Sequence, residues 1–333
     1  MTDVAPPSSE PSETPALRVG FLGPFGTFTE QALLTQPDLA AAELVPYPTM
    51  TDVLRASEDG EVDLGFVAIE NSIEGTVNVT SDTLAFDVDV LIQREVVIGI
   101  QQHLLAVPGA TLAGIAEVVS IPHATAQARG FLHRELPSVR TRAANSTAEA
   151  AQLVATEADP KVAAIGNELA AGLYGLEVLA ADIEDHPENQ TRFVAVRPHA
   201  VPAPTGHDKT SILQYQRHDR PGSLVAILQE FAARRINLTK LESRPTKRGL
   251  GDYCFLLDLE GHVADDVVAD CLKALRTKHG DVKFLGSYPS AGTDGAALRQ
   301  DADDASRSAD SWLTDIRTRI ARPLQRPSDP ADE

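Results

Sequence analysis

The sequence is poor in the residues that mark several common classes of protein. It contains two cysteines, one tryptophan and 5% aromatic residues in a chain of 333 residues. Cys254 and Cys271 both fall in apolar stretches, and no Cys or His spacing resembles a zinc site. We therefore expect two buried, reduced thiols, with no disulfide and no metal site.

Long apolar runs and a leader segment are also missing. The first fifteen residues are rich in Pro, Ser and Glu, with neither a basic start nor an apolar core. This composition does not match a signal peptide. No run approaches the ~18 apolar residues that a membrane span needs. The sequence thus predicts a cytoplasmic protein without a membrane partner.

Positive charge is scarce relative to negative charge. The chain has 29 Lys and Arg against 48 Asp and Glu, a formal net charge of -19. Because an acidic surface repels phosphate backbones, we expect no nucleic-acid partner. The glycine-rich signatures of nucleotide-binding folds are not found either. A hydrophobic fraction of 43% and this length predict well-packed cores in more than one domain.

Short apolar strands alternate with capped helices through the first part of the chain. Thr27 with Glu30, and Ser146 with Glu149, have the spacing of capping boxes. This alternation predicts an α/β fold with a largely parallel sheet. Two apolar stretches within residues 90–107 predict long strands that cross between two lobes. The body is expected to end with the strand that follows Asn189.

Two polar segments adjoin predicted strands of this body. Residues 70–76 follow an apolar strand, and Thr191 and Arg192 begin another. Ligands bind outside the carboxyl ends of strands in open α/β sheets. A hydroxyl could donate a hydrogen bond there, and a guanidinium could hold a carboxylate. From the residues alone, a plain polar turn is an equal alternative for residues 70–76. For Thr191 and Arg192, a strand-edge hydroxyl and a solvated cation are the favoured interpretation.

The remainder of the chain predicts a smaller domain and a polar tail. A linker at residues 199–208 precedes the order βαββαβ at residues 209–288, which is the ferredoxin-like arrangement. Its sheet would have a free face, which predicts an oligomer. We expect disorder at residues 1–16 and through most of the acidic tail, residues 289–333. Within that tail one helical face would be apolar, formed by Trp312, Leu313, Ile316 and Ile320. A marginal, solvated helix is the favoured interpretation, and a helix that docks on another subunit is the alternative.

Short motifs in sequence order resemble those of the prephenate dehydratase family, from Arg18 to Pro289. They are Gly23-Pro24-Phe25-Gly26-Thr27-Phe28-Thr29, Glu70-Asn71-Ser72 with Gly75, Thr191-Arg192-Phe193, Gly222-Ser223-Leu224-Val225 and Glu242-Ser243-Arg244-Pro245. Each is weak alone, and their common order and separation make the resemblance specific.

The resemblance implies a fold and an activity. Residues 17–198 would form a catalytic domain like the type II periplasmic binding proteins, with two lobes and a cleft. Residues 209–288 would form an ACT regulatory domain. The implied enzyme is a carbon–oxygen lyase that converts prephenate to phenylpyruvate, CO2 and water without a cofactor. L-phenylalanine would be its allosteric effector, and a homodimer or homotetramer its assembly. No chorismate mutase segment is expected.

The resemblance also assigns residues to roles. Thr191 would be catalytic, and the substrate would be bound by Thr27, Asn71, Ser120, Gln127, Arg192 and Phe193. The effector would be bound by Gly222, Ser223, Leu224, Val225, Glu242, Ser243, Arg244 and Pro245. This chain departs from the family by reading Ser120-Ile121-Pro122-His123 where Ser-His-Pro is usual, and by having Ser223 where Ala is usual. Ser120 and Gln127 remain the matching positions.

Two alternatives stay open at this point. One is arogenate dehydratase, whose substrate loses the same groups as prephenate but carries an amino group in place of the keto oxygen. A non-catalytic ligand-binding protein or amino-acid sensor would have the same two-lobed fold. The Thr191-Arg192-Phe193 motif favours an enzyme over a sensor.

Overall fold

A computed structural model describes residues 16–216, 220–247, 252–291, 308 and 311–319. The chain divides into two units, Met1–Ala291 and Gly292–Glu333, and the two lobes and the small domain all belong to the first. Most of the terminal segments that were predicted to be disordered lie outside the described residues.

The first lobe contains a sheet with helices around it. Its strands are β1 (Arg18–Leu22), β2 (Glu43–Tyr47), β3 (Leu64–Asn71), β4 (Gly75–Thr76), β5 (Leu91–Gly99) and β11 (Gln190–Arg197), and its helices are α1 (Phe28–Leu34), α2 (Pro37–Ala40), α3 (Met50–Glu58) and α4 (Asn78–Phe86). The strand order is β2-β1-β3-β11-β5, with β4 paired to β3. The pairs β1–β2 and β1–β3 are parallel, whereas β11 runs antiparallel to both neighbours. The sheet is therefore mixed, because the chain returns through its middle in the opposite direction.

The second lobe has a sheet of its own. Its strands are β6 (His103–Ala106), β7 (Glu117–Ser120), β8 (Arg140–Ala143), β9 (Val162–Gly166) and β10 (Glu177–Ala180), and its helices are the 3-10 turn Leu112–Gly114, α5 (Pro122–Gln127), α6 (Arg129–Glu135), α7 (Thr147–Glu157) and α8 (Glu168–Tyr174). The strand order is β10-β6-β9-β7-β8. Helices α5 and α6 are separated at Ala128, whose backbone leaves the helical region.

Helix capping follows the predicted residues with one change of detail. The side chains of Thr27 and Ser146 accept from the backbone N–H three residues on, at Glu30 and Glu149. The return bond from each glutamate goes one residue further back, to the backbone N–H of Gly26 and of Asn145. Each helix start is thus fixed from both sides, as in a capping box.

The chain passes between the lobes twice. The first passage lies between the end of β5 at Gly99 and the start of β6 at His103, so it is shorter than the crossing strands predicted. The second lies between β10 and β11. The lobes also touch across the cleft: the Tyr174 hydroxyl donates to the Phe25 carbonyl at 2.7 Å. Asn167 donates to the Gln31 side chain at 3.0 Å.

The small domain has the predicted βαββαβ order. It comprises β12 (Asp208–Tyr215), α9 (Ser223–Ala233), β13 (Leu238–Pro245), β14 (Tyr253–Glu260), α10 (Asp266–Lys278) and β15 (Val282–Pro289). The antiparallel sheet has the order β13-β14-β12-β15. One of its faces packs on both helices through a core that includes Phe231, Leu257 and Cys271. Cys254 and Cys271 are buried free thiols, as predicted, and burial raises the pKa of each to about 11.

The other face of this sheet is not free, contrary to our expectation. Leu213, Leu256 and Tyr288 share one hydrophobic core with Val53 and Ile92 of the first lobe. Gly286 packs closely on the first lobe, because an added Cβ there would lie 2.6 Å from the Ile92 carbonyl oxygen. Burial of apolar surface on both sides fixes the small domain to the lobe. Because this face is covered within the chain, it does not provide the oligomer interface that we expected from it.

The second unit contains a helix at residues 311–318. Its side chains Trp312, Leu313 and Ile316 are exposed. Ile320, the fourth member of the predicted apolar face, lies outside the described residues. Among the helices described in either unit, none combines the length and apolarity of a membrane-spanning segment.

Candidate active site

Asn71 and Thr191 meet where β3 ends and β11 begins. The two residues are paired across the antiparallel strands. The Asn71 Oδ1 atom accepts from the backbone N–H groups of Ile73 and Glu74, both at 3.0 Å. Because those donors fix the amide orientation, Nδ2 is the atom that faces Thr191, and it donates to Oγ1 at 2.9 Å. Since Thr191 Oγ1 accepts in this pair, its own hydrogen remains available for another acceptor.

Asn189 extends this contact towards the second lobe. Its Oδ1 accepts from Asn71 Nδ2 at 2.9 Å, so its own Nδ2 is free to donate. That nitrogen donates to Gln127 Oε1 on α5 at 3.1 Å. Both side chains are buried. Residues from the two lobes are thus joined by amide hydrogen bonds beside Thr191.

His123 and Glu74 complete the set. The Gln127 Nε2 atom lies 2.8 Å from His123 Nε2. The other ring nitrogen, Nδ1, lies 2.8 Å from Glu74 Oε1. An amide nitrogen can only donate, so His123 Nε2 accepts from it, and Nδ1 carries the proton towards the carboxylate. We call Glu74, His123, Gln127, Asn189 and Asn71 the polar relay.

Thr27 and Ser120 use their hydroxyls elsewhere. Thr27 caps α1 and donates to the Leu22 carbonyl at 3.3 Å. Ser120 donates to the Ile165 carbonyl at 2.9 Å. Both side chains are buried. Their bonds shape β1–α1 and β7–β9, and neither residue joins the polar relay.

Phe193 is a core residue, which corrects its predicted place in substrate binding. Its ring is 2% exposed and stacks on Phe66 with 5.6 Å between centroids. Side chains alternate along a strand. Phe193 and Ala195 accordingly enter one core of the first lobe, while Val194 and Val196 enter the core shared with the small domain.

Arg192 points to the small domain rather than to a substrate carboxylate, which corrects its predicted role as a clamp. Its Nε donates to Glu95 at 2.6 Å, and its Nη1 donates to Asp258 at 2.7 Å. Nη1 also lies 3.2 Å from Glu70, and Nη2 donates to the Tyr288 hydroxyl at 2.8 Å. Strand alternation explains the difference, because Arg192 shares its face of β11 with Val194.

Within this cluster, the attraction between opposite charges outweighs the effect of burial on the pKa values. Burial works against the charged forms of Glu95 and Asp258, but Arg192 and Lys209 outweigh it and lower both pKa values. Burial likewise opposes the charge of Arg192, and Tyr288, Asp258 and Glu95 together raise its pKa well above the usual value. The cluster thus holds fully charged groups in the interface between the first lobe and the small domain.

The predicted effector residues separate into two groups. Gly222, with a left-handed φ of +87°, begins α9 and lines a cavity of about 230 Å³. The cavity is also lined by Gln216, Arg220, Ser223, Leu224, Val225, Ser243, Tyr253 and Phe255. Glu242 and Arg244 do not line it. Glu242 instead bonds to Thr76 of the first lobe, and Arg244 bonds to Asp82 and Asn78 there. Pro245 lies opposite Tyr253 at the end of β13.

A larger cavity, of about 540 Å³, lies on the second lobe. Residues of α5, α6, β7 and β8 line it, including Ser120 and Arg142. Thr191, Asn71 and Gln127 are not among its lining residues. Arg142 is already paired with Glu117 and Glu157. Size alone therefore does not locate the site that the motifs indicate.

Sequence reasoning missed several participants. Asp258 sits within the apolar strand Tyr253–Glu260, and a lone carboxylate in such a strand indicates a buried ion pair. His123 was noticed only as part of an unusual motif. Its position four residues before Gln127 on α5 is the signal that would have joined them.

These features define a class: a two-lobed α/β domain with a polar site where the lobes meet, joined to a βαββαβ domain with a small cavity. The family model described as prephenate dehydratase matches residues 19–201, and that of the ACT domain matches residues 211–277. The chain belongs to the prephenate dehydratase family, and its small domain is an ACT domain. The predicted two-lobed, periplasmic-binding-protein-like fold with an ACT domain is confirmed.

Individual relatives cover nearly the whole chain. The prephenate dehydratase of Mycolicibacterium vanbaalenii is 41% identical over 315 residues, which are 90% of this chain and 98% of that protein. The crystal structure of prephenate dehydratase from Arthrobacter aurescens in complex with L-Phe is 39% identical with a TM-score of 0.79, and the match covers 91% of this chain and 100% of that one.

A further solved structure shows that this fold hosts other reported activities. The protein GqqA, described as a novel type of quorum quenching acylase, is 30% identical with a TM-score of 0.74. The match covers 82% of this chain and 98% of that one. Because a fold does not determine an activity, the function of this chain depends on the chemistry of its site.

Proposed function

We propose that the chain converts prephenate to phenylpyruvate, CO2 and water, with Thr191 as the hydrogen-bond donor to the departing hydroxide. The main support is the hydrogen bond from Asn71 Nδ2 to Thr191 Oγ1, at 2.9 Å. It occupies the oxygen of Thr191 and directs its hydrogen to another acceptor. A hydroxyl arranged in this way is a donor, which is what a leaving oxygen requires.

The reaction needs positioning and a proton source. The bond from the ring to its carboxylate breaks, and that electron pair enters the ring as CO2 leaves. The ring C–O bond breaks in concert, and the departing hydroxide takes up a proton that solvent supplies, so that it leaves as water. Aromatisation supplies the driving force. A positioned general acid contributes about 10²–10⁴-fold to such a step.

Thr191 serves this step as part of a polarised pair. A threonine hydroxyl is a weak acid, so it cannot protonate a resting substrate. Donation from Asn71 to its oxygen increases the polarity of its O–H bond. The hydroxyl then stabilises the charge that develops on the leaving oxygen in the transition state. We assign the catalytic role to Thr191 and the orienting role to Asn71.

Substrate binding falls largely to uncharged donors. Arg192 is held by Glu95 and Asp258, and Glu70 is paired with Arg192 and Lys240. The Gln127 amide nitrogen carries two hydrogens, and one of them is donated in the hydrogen bond to His123 Nε2. We assign the second to a substrate oxygen. Thr27 and Ser120 hold the ends of strands that border the cleft and remain predicted contacts.

The site favours a lyase over a hydrolytic acyl transfer. A nucleophilic hydroxyl needs a base that can take its proton. Asn71 approaches Thr191 with a donor atom, so it cannot accept that proton. Arogenate presents the same leaving groups as prephenate and remains the nearest competing substrate.

We also propose that L-phenylalanine binds in the cavity beside Gly222 and Ser243 and regulates the enzyme. The support is the relative from Arthrobacter aurescens, which is described in complex with L-Phe. Ser243 lines the cavity, and its neighbours Glu242 and Arg244 contact the first lobe. A shift of β13 on effector binding would therefore reach Thr76, close to the loop that follows Asn71. The effector acts only if it prefers one of two arrangements of this contact.

Assembly and location complete the proposal. Val225, Leu241 and Tyr253 are exposed apolar side chains on the ACT domain, and Val225 and Tyr253 border the cavity. They support pairing of two ACT domains in a homodimer or homotetramer. The cytoplasmic location stays a prediction of the sequence.

The direct test is turnover by the purified protein. Prephenate and arogenate are supplied in parallel, and phenylpyruvate or phenylalanine is quantified by chromatography. The prephenate assay is then repeated with added L-phenylalanine. We expect phenylpyruvate from prephenate, with a rate that changes when L-phenylalanine is added. If only arogenate were converted, arogenate would replace prephenate as the proposed substrate. If neither compound were converted, the proposed activity would be wrong.

A further inference from the structure

The polar relay forms a circuit that begins and ends at one residue. The backbone N–H of Glu74 donates to Asn71 Oδ1 at one end. The Glu74 carboxylate accepts from His123 at the other. Asn189 and Gln127 lie between them, with bonds of 2.9, 3.1 and 2.8 Å along the way. Every donor direction in the circuit is fixed by its neighbour.

We propose that His123 is a positioning residue for the dehydration: it fixes the orientation of the Gln127 amide and, through Asn189, the donor that Asn71 presents to Thr191. The proposal rests on the proposed function of the chain. His123 acts through Gln127 and is not itself assigned a contact with substrate.

An amide side chain can face its neighbours in two orientations. Oxygen and nitrogen have nearly the same size, so only hydrogen-bond partners decide which way a carboxamide faces. The His123 Nε2 atom is an acceptor and therefore selects the nitrogen of Gln127. Reversing Gln127 would set two donors against each other at Asn189 and two acceptors against each other at His123. Relief by reversing Asn189 would only move the conflict to Asn71, which the backbone holds fixed.

The carboxylate of Glu74 makes His123 Nε2 a hydrogen-bond acceptor for Gln127. Its contact with Nδ1 places the ring proton there, which leaves Nε2 unprotonated and facing Gln127. The contact also crosses the cleft, because Glu74 belongs to the first lobe and His123 to α5 of the second. The relay is therefore complete only when the lobes are close.

The location of His123 allows its role to be separated from folding. Its side chain is 33% exposed, and that of Glu74 is 59% exposed. Neither belongs to a hydrophobic core of the described residues. A substitution at His123 should consequently change turnover more than stability.

The first variant removes the acceptor. In His123→Leu, the Gln127 amide loses the partner that selects its orientation. We expect kcat to fall by about 10-fold or more, since small misplacement of reacting groups costs up to about 10²-fold. We expect His123→Gln to recover most of this loss, because its carbonyl can accept from Gln127 and its amide can donate to Glu74. His133→Leu, at an exposed histidine on α6, is the matched control and should retain normal turnover.

A double-variant cycle separates positioning from general structural damage. If His123 acts through Gln127, then His123→Leu should cost no further kcat in a Gln127→Leu background. Turnover is measured below the unfolding temperature of each variant. Independent losses at the two positions, or full activity in His123→Leu, would overturn the proposal. Should His123→Leu fail to fold, His123→Phe carries the same test with a ring in place.

A failure of the proposed role of His123 can be distinguished from a failure of the proposed function. A wild-type chain that does not dehydrate prephenate overturns the activity itself. An active wild type whose His123→Leu variant matches it overturns only the role of His123.

Discussion

The guanidinium of Arg192 bonds to the carboxylate of Asp258 at 2.7 Å, across the interface between the first lobe and the ACT domain. The preceding residue, Thr191, faces the polar relay. One strand thus carries the candidate catalytic hydroxyl on one side and an ionic contact to the regulatory domain on the other. Any movement of the ACT domain against this lobe acts on the strand that holds Thr191.

The buried ion pair predicts a large loss on removing one partner. Asp258→Asn keeps the size of the side chain but leaves Arg192 with less compensation in a buried site. Breaking such a pair costs about 3–5 kcal/mol of unfolding free energy. Urea denaturation would measure this loss. Asp270→Asn, which breaks a pair of Arg234 with a 66% exposed carboxylate, is the control and should cost far less. Equal effects of the two variants would contradict the interface described.

The same cluster predicts a dependence of stability on pH. The pKa values of Glu95 and Asp258 are lowered in the folded chain, because Arg192 and Lys209 overcome the effect of burial. Their contribution is therefore present above the pKa values of the unfolded chain, about 4, and is lost as pH falls through the folded values. Urea denaturation between about pH 3 and pH 6 should show this fall. Glu95→Gln should make the slope shallower, and Glu188→Gln, at an exposed position, should not.

Two ACT-domain variants should separate effector binding from its transmission. Gly222 has a φ of +87°, so Gly222→Val strains the backbone at the cavity and should abolish binding of L-phenylalanine. Arg244→Gln leaves the cavity lining intact but breaks the bonds to Asp82 and Asn78. It should bind the effector and respond to it weakly. Calorimetric binding with parallel activity assays decides this, and normal regulation in Arg244→Gln would exclude β13 as the route.

Close packing at Gly286 predicts a steric defect. In Gly286→Ala the new methyl group would meet the Ile92 backbone, and the φ of +139° disfavours any side chain. We expect a loss of unfolding free energy of about 1–3 kcal/mol, visible in the midpoint of thermal unfolding. Gly172→Ala, in a helix with open space at the Cβ position, should be neutral or stabilising. A Gly286→Ala protein as stable as wild type would contradict the contact.

The elements of the fold were largely predictable because their signals are local. Capping residues located the starts of helices such as Phe28–Leu34 and Thr147–Glu157, and apolar patterns gave the βαββαβ order of the small domain. The strand β8, Arg140–Ala143, was missed because it is an exposed edge without apolar alternation. Which strands pair, and that β11 returns between β3 and β5, depends on contacts distant in sequence that no local pattern contains.

The site was predictable in its residue types but not in the directions of its side chains. Thr191 and Asn71 were found from their motifs, and the structure brings them together. Arg192 and Phe193 stand beside Thr191 in the same motif, yet one faces the ACT domain and the other a core. Alternation along β11 could have separated them, but which face met the cleft required the sheet order.

The turnover number of Thr191→Val decides whether the Thr191 hydroxyl assists the departing oxygen. The substitution removes the hydroxyl and keeps the shape, so substrate affinity should change little. We predict that kcat for prephenate falls by about 10²–10⁴-fold, whereas Thr141→Val, at an exposed threonine on β8, leaves it unchanged. A Thr191→Val protein with near-normal kcat would contradict the account.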